Sequence, residues 1–392
     1  MRRICIITGT RAEWGILSGL AASLAARKDV QLQILATNMH LSAKFGRTVD
    51  EIRSAGFVVD AEVPMIDDAA PATSKETVLA MGREMTGFAE AFDRLEPDLV
   101  VILGDRYEML VAASAALVFG IPIAHLHGGE RTEGAFDDMI RHAITKLSAL
   151  HFTSTDECRN RVIQMGESPE RVFSVGALGC ENIRRVPLMS RNELEQSIDF
   201  ALTDRCFLVT YHPVTLGKTS GAEQVRSLME AMEAFPDYRL LVTHPNSDKG
   251  NDEIVGELKR QEASNPERIR LVTSLGMRRY LSSLPLVSVV VGNSSSGLVE
   301  VPSFGIPTVN IGSRQDGRTR AESVIDCGDS AAEIRMAISR AVSPEFRAFC
   351  RTVSNPYDKK GTAAAITDVL TRVDLDLLTR KRFYDMSGGL HV

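Results

Sequence analysis

The sequence predicts an α/β protein of two domains, each a parallel β-sheet covered by helices. Three observations lead there. The chain has 392 residues, more than one hydrophobic core usually serves. Short β-branched runs alternate with longer amphipathic stretches, the signature of βα units. That alternation lapses once, in a polar stretch from about Leu178 to Leu202, and then resumes. Domains are therefore expected over residues 1–185 and 186–361, facing one another across a cleft. The stretch Thr362–Leu378 reads as helix, and residues 362–392 are expected to pack back on the first domain.

In the first half the strand candidates are Ile4–Thr8, Val30–Ala36, Leu99–Leu103 and Ile121–His125. Apolar residues recur at helical spacing over Leu17–Ala26. In the second half the candidates are Phe207–Tyr211, Arg239–Thr243, Arg270–Thr273, Ser288–Val291 and Thr308–Ile311. The stretch between the two series is expected to be an irregular linker.

Composition narrows the function. A formal charge of −6 argues against a general nucleic-acid binder. No apolar run approaches the roughly 18 residues of a membrane span, so no membrane partner is expected. The opening MRRICIITGT has too short an apolar stretch for an export signal and reads as a first buried strand, implying a cytoplasmic protein. Six scattered cysteines show no metal-ligand spacing and are expected to be reduced and buried.

Ligands of open α/β sheets bind beyond the carboxyl ends of the strands, so polar residues that directly follow a strand are the candidates. After the first strand comes Gly9-Thr10-Arg11-Ala12-Glu13. Its small residues would let backbone N–H groups approach a phosphate, with Arg11 as a clamp; the alternative is a plain tight turn. It lacks the GxGxxG of a dinucleotide fold, which counts against NAD. After LVVIL comes Gly104-Asp105-Arg106-Tyr107-Glu108, where Asp105 is either a helix cap or an acid–base carboxylate.

The densest cluster runs from His125-Leu126-His127-Gly128-Gly129-Glu130 to Asp137-Asp138-Met139-Ile140-Arg141-His142. Taken singly, His125 reads first as a satisfied core contact. Taken together, so many titratable groups at one strand end point to function. In the second half, His212 ends a strand and precedes a proline, and His244 directly follows another. The run Gly292-Asn293-Ser294-Ser295-Ser296-Gly297 with Glu300 reads as a strand, a hydroxyl-rich anion cradle and a helix start. Glu300 is expected in the first turns of that helix, where it could grip a ribose diol. The following loop carries Arg314, Arg318 and Arg320, able to close over a diphosphate.

In this order, GTRAEWG, GDRYE, HLHGGE, DDMIRHAITKLS, YHPVT, GNSSSGLVEVPS, IGSRQDGR and SNPY resemble the hydrolysing UDP-N-acetylglucosamine 2-epimerases, in particular the bacterial sialic-acid and capsule branch. The resemblance covers nearly the whole chain. It implies the GT-B fold of two Rossmann-like domains, with the nucleotide held mainly by the second. It implies conversion of UDP-N-acetylglucosamine to N-acetylmannosamine and UDP without a cofactor or metal. It also implies a homo-oligomer, a dimer or tetramer.

Carried over by position, Asp105 and Asp137 resemble the family's catalytic carboxyl groups, and His212 its histidine beside the departing diphosphate. Arg11, Ser294, Ser295 and Glu300 match diphosphate and ribose contacts. Asp138, Arg141, His244, Asn293, Ser296, Arg314 and Arg318 complete the expected substrate-binding set. Many relatives have glutamate where this chain has His127, so either His127 or Glu130 takes over that work. A diacetamido-trideoxy sugar substrate, reversible epimerisation, a GT-B glycosyltransferase and a nucleotide-sugar binding protein remain alternatives.

Overall fold

The computed structural model describes residues 1–71, 73–132, 136–213, 220–245 and 250–386. The chain forms two compact units. Unit 1 comprises residues 1–130, 137–182 and 359–392, and unit 2 comprises residues 131–136 and 183–358.

Unit 1 holds seven strands: β1 (Arg2–Thr8), β2 (Val30–Thr37), β3 (Ala61–Val63), β4 (Leu99–Leu103), β5 (Ile123–Leu126), β6 (Leu150–Thr153) and β7 (Val172–Ser174). All pairings are parallel, in the order β3-β2-β1-β4-β5-β6-β7. Unit 2 holds β8 (Cys206–Thr210), β9 (Arg239–Thr243), β10 (Ile269–Val272), β11 (Val289–Gly292), β12 (Thr308–Ile311) and β13 (Val324–Cys327). Its order is β10-β9-β8-β11-β12-β13, again parallel throughout. Both are Rossmann-like, doubly wound sheets. Chain order reverses between β1 and β4 in unit 1 and between β8 and β11 in unit 2. Such reversals splay the flanking loops apart and leave a crevice for ligands.

The strands form because their side chains are buried on both faces. Every residue of Leu99–Leu103 is buried, and so are Val289–Gly292 and Thr308–Ile311. Helices then cover each sheet. In unit 1, Ile4, Leu17, Leu20 and Leu24 share one core with Ile366 and Leu370 of the returning C-terminal helix Thr362–Arg372. The Thr367 and Ser23 hydroxyls are hydrogen-bonded at 2.8 Å. In unit 2, Phe207 stacks on Tyr238 with centroids 4.3 Å apart.

One stretch corrects the sequence reading. Between Leu178 and Leu202 the chain is not irregular but carries two helices, Leu178–Arg185 and Arg191–Ile198. Their apolar faces are only two or three residues wide, too little to stand out as a periodic pattern. The second is nucleated by a capping box: Ser190 accepts from the Glu193 N–H, and Glu193 accepts from the Ser190 N–H at 2.7 Å. Strands β3, β6, β7 and β13 are also absent from the sequence reading; each has only three or four residues, at least one of them polar.

None of the six cysteines is in a disulfide; five are buried and Cys327 is half-buried. No described helix is long and apolar enough to cross a membrane. Among the described residues, no group of three or more His, Cys, Asp or Glu side chains is arranged to hold a metal.

Candidate functional site

Most of the sequence-predicted segments fall at the carboxyl ends of strands, and several flank the two reversals. In unit 1, Gly9 follows β1 and Asp105 follows β4. In unit 2, His212 follows β8 and Asn293 follows β11. The Val214 and Thr215 of YHPVT lie outside the described residues.

The turn after β1 departs from the phosphate-cradle reading. Glu13 folds back and accepts from the Gly9 N–H at 2.7 Å and the Thr10 N–H at 3.2 Å, while Thr10 caps the helix Arg11–Ala25. The backbone donors expected to meet a phosphate are thus met by the chain's own carboxyl group. Burial, and then the neighbouring Glu108, push Glu13 above the usual carboxylate range. Arg11 forms an ion pair with Glu51.

Unit 1 gathers its acids around one guanidinium. Arg141, on the helix Asp137–Leu147, is 1% exposed. It pairs with Asp105, donates to Asp138 Oδ1 at 3.0 Å, and donates to the Glu130 carbonyl at 2.8 Å. A buried arginine is tolerated only when its charge and donors are met in this way. Asp138 also lies 3.4 Å from His142 Nε2. Asp137, half-buried, begins the same helix, where the helix dipole favours an acid. The structure therefore brings Asp105 and Asp138 together on Arg141, and Asp137 directly precedes Asp138 in the chain.

The HLHGGE turn is shaped by backbone demands. His127 has φ +64, an uncommon left-handed conformation for a residue with a side chain. Gly129 has φ +80, and a Cβ there would sit 2.4 Å from the Cys158 carbonyl oxygen, so only glycine fits. Glu130, 3% exposed, accepts from the Ser154 hydroxyl at 2.8 Å and lies 3.5 Å from His127 Nδ1. The two rivals for the family glutamate's role are thus neighbours.

Unit 2 builds its own cluster on the serine turn. Tyr280 donates to the Ser296 hydroxyl at 2.8 Å, and Ser296 lies 3.1 Å from Ser294. Arg314 and Gln315 donate to the Asn293 carbonyl at 3.3 and 2.8 Å, tying the arginine loop to this turn. Asn355 of SNPY donates to the Val299 carbonyl and the Ser303 hydroxyl, each at 2.7 Å. Arg320 instead pairs with Asp326. His244 directly follows β9, and burial pushes its imidazole below the ordinary value.

Two details correct expectation. The helix after the serine turn spans only Ser296–Val299 before Pro302 helps tighten the chain into a 3₁₀ turn, Val301–Phe304. Glu300 therefore sits at the junction of the two, not inside a helix's first turns. Asn293 is 0% exposed, and both ends of its amide bond the backbone of His212. Tyr280, Gln315 and Asn355 were not singled out from the sequence. Gln315 and Asn355 carried a signal only through the motifs IGSRQDGR and SNPY of the resemblance, and Tyr280 carried none.

A sequence profile of the UDP-N-acetylglucosamine 2-epimerase family matches residues 22–371. A hydrolysing GDP/UDP-N,N'-diacetylbacillosamine 2-epimerase of Campylobacter jejuni is 37% identical over 388 residues, covering 98% of this chain and 99% of that one. A hydrolysing UDP-N,N'-diacetylbacillosamine 2-epimerase of Legionella pneumophila is 39% identical, covering 83% of this chain and 85% of that one. The polysialic acid biosynthesis protein P7 of Escherichia coli is 36% identical, covering 98% of each chain. The fold is also that of the Neisseria meningitidis UDP-GlcNAc 2-epimerase solved with UDP-GlcNAc, with a TM-score of 0.78 at 17% identity and coverage of 95% of this chain and 100% of that one. With two doubly wound sheets of the GT-B class, and with relatives above 35% identity matched along nearly their full length, this chain belongs to the UDP-N-acetylglucosamine 2-epimerase family.

Proposed function

We propose that the chain is a hydrolysing 2-epimerase acting on a UDP-linked N-acetylated amino sugar, in which unit 1 performs the proton transfers and unit 2 holds the UDP. The observation that carries this reading is the grouping of Asp105, Asp138 and Arg141, with Asp137 beginning the same helix.

The reaction needs a base, an acid and a stabilised leaving group. In the first step a carboxylate takes the C2 proton. The C–H electron pair forms the C1=C2 double bond, and the C1–O bond breaks with its electrons leaving on UDP. In the second step water adds its hydroxyl to C1, and a proton returns to C2 from the opposite face. The product is the free 2-epimer. Asp105 and Asp137 are the two carboxyl groups we assign to these transfers, each on its own face of the sugar. His127 or Glu130 supplies the additional polar group. His212 steadies the leaving diphosphate. Asn293, Ser294, Ser295, Ser296, Arg314 and Arg318 carry phosphate contacts directly or by shaping the turn, and Glu300 takes the ribose. Arg11 and His244 remain proposed substrate contacts at their strand ends.

The diacetamido-trideoxy sugar is favoured as substrate by the Campylobacter and Legionella relatives. UDP-N-acetylglucosamine, giving N-acetylmannosamine, is the second reading, supported by the polysialic acid relative. Incubation with each UDP-sugar in deuterated water, followed by proton NMR, separates the two. The expected result is free 2-epimer with deuterium at C2. Retention of hydrogen at C2 during turnover overturns the elimination scheme, and a UDP-linked product overturns hydrolysis. Asp105→Asn and Asp137→Asn are each expected to abolish turnover while UDP affinity is kept.

A further inference from the structure

We propose that His125 is a positioning residue, which fixes the Asp105 turn against the acid-bearing helix Asp137–Leu147; the proposal builds on the epimerase reading of these acids. His125 lies on β5 and is fully buried. Its Nε2 is 2.7 Å from the Gly104 carbonyl, and its Nδ1 is 3.2 Å from the Thr145 hydroxyl.

These partners determine the tautomer. A carbonyl oxygen can only accept, so Nε2 carries the proton. Burial holds the ring's pKa down to about 3, so the imidazole is neutral and Nδ1 accepts from Thr145. One rigid ring therefore grips two elements. Gly104 has φ +86 and immediately precedes Asp105, so the hydrogen bond on its carbonyl restrains the turn that aims that carboxylate. Thr145 stands about 12 Å along its helix from Asp137, and it ties that helix to β5.

Gly128 supports the same reading. A Cβ at this position would lie 3.0 Å from both His125 Nδ1 and Thr145 Oγ1. The first glycine of the HGG turn thus leaves room for the His125–Thr145 hydrogen bond. On the side chain of Asp105, Arg141 of the same helix makes the second restraint. Asp105 is consequently held at two points, both traceable to the helix that carries Asp137.

The test uses side chains that mimic one ring nitrogen at a time. Glutamine places an amide nitrogen near the Nε2 position and can still donate to Gly104. Asparagine reaches only as far as Nδ1 and cannot. His125→Asn is expected to lower kcat roughly tenfold to a hundredfold, the scale of about 1 Å of misplacement, with KM and UDP affinity within about threefold of wild type. His125→Gln is expected to recover most of kcat. Thr145→Val, which removes one hydroxyl, is expected to lower kcat less and to fold with a Tm only a few degrees below wild type, and it decides the matter if the histidine variants do not fold. Wild-type kcat in His125→Asn or in Thr145→Val, or a glutamine variant no better than asparagine, overturns the proposal. Nitrogen-15 NMR of the imidazole gives a readout independent of turnover. A neutral ring protonated on Nε2 is expected, and the other tautomer or a charged ring overturns the positioning role. A wild-type enzyme inactive on both UDP-sugars, with the expected tautomer present, overturns only the assigned reaction.

Discussion

The amide of Asn293 closes two hydrogen bonds on the backbone of His212. Its Oδ1 accepts from the His212 N–H at 2.7 Å, and its Nδ2 donates to the His212 carbonyl at 2.9 Å. The histidine at the end of β8 is thereby fastened to the serine turn at the end of β11. Asn293→Ala leaves both backbone groups without these partners and is expected to cost about 1–3 kcal/mol. Asn293→Asp keeps the acceptor and is expected to fall between alanine and wild type at pH 7. Urea unfolding of the three proteins checks this. Equal stabilities would show that the pair is not structural.

Beside that pair, Gly292 has φ +140, and a Cβ would lie 1.9 Å from the Thr210 carbonyl oxygen. No side-chain movement relieves a clash with backbone. Gly292→Ala is expected to destabilise unit 2 by on the order of 4 kcal/mol or more. Limited proteolysis is the direct measurement, and cleavage is expected within residues 183–358. Wild-type resistance to protease would mean that β8 and β11 can separate at little cost.

Glu84 is expected to make stability depend on pH. Thr37 donates its hydroxyl proton to the Val63 carbonyl at 2.7 Å, yet Glu84 Oε1 lies 2.6 Å from the same hydroxyl. One hydroxyl has one proton and cannot fully serve a carbonyl and a carboxylate at once, a conflict that a protonated Glu84 relieves. Burial accordingly pushes its pKa up to about 9. The unfolded chain releases this proton near about pH 4.3. Between those values the folded state binds more protons, so stability falls as pH rises, by up to about 1.4 kcal/mol per pH unit. Glu84→Gln can keep the donor and lose the titration. Its stability relative to wild type is therefore expected to grow between pH 5 and pH 8.5 in urea melts; a constant difference would rule out the buried neutral acid.

The C-terminal segment is held by charge. Lys381 lies 2.8 Å from Glu167 and donates to the carbonyls of Lys146 and Ser148, each at 2.7 Å. Burial raises the pKa of Glu167, but His151, Lys146 and Lys381 together outweigh it and bring it to about 2. Lys381→Met is expected to cost about 1–3 kcal/mol, because Lys146 and the His151 ring remain beside Glu167. A double-mutant cycle with Glu167→Gln measures the coupling. Additive effects would show that Lys381 acts through the carbonyls alone.

Much of the fold was legible because the central strands are continuous apolar runs. Leu99–Leu103, Arg239–Thr243 and Thr308–Ile311 begin and end where the sequence pattern does. Strand β6, Leu-His-Phe-Thr, was not legible, because His151 inside it reads as polar until Glu167 is found 2.9 Å away. The candidate residues were legible as strand-end positions. Their partners were not, since nothing in the sequence shows that Arg141 is buried and spent on Asp105 and Asp138.

The sequence by itself determined the fold class, the two parallel sheets and the strand ends at which polar chemistry gathers. Periodicity and glycine placement are local properties, and they act through neighbours in the chain. Only the tertiary structure decided which groups are already committed. Glu13 occupies the N–H groups expected to meet a phosphate, Asn293 serves the His212 backbone, and His125 is a neutral bridge. Each outcome depends on burial and on a partner far away in the chain or hidden from solvent. Desolvation and hydrogen-bond saturation are set in three dimensions, where no spacing rule reaches.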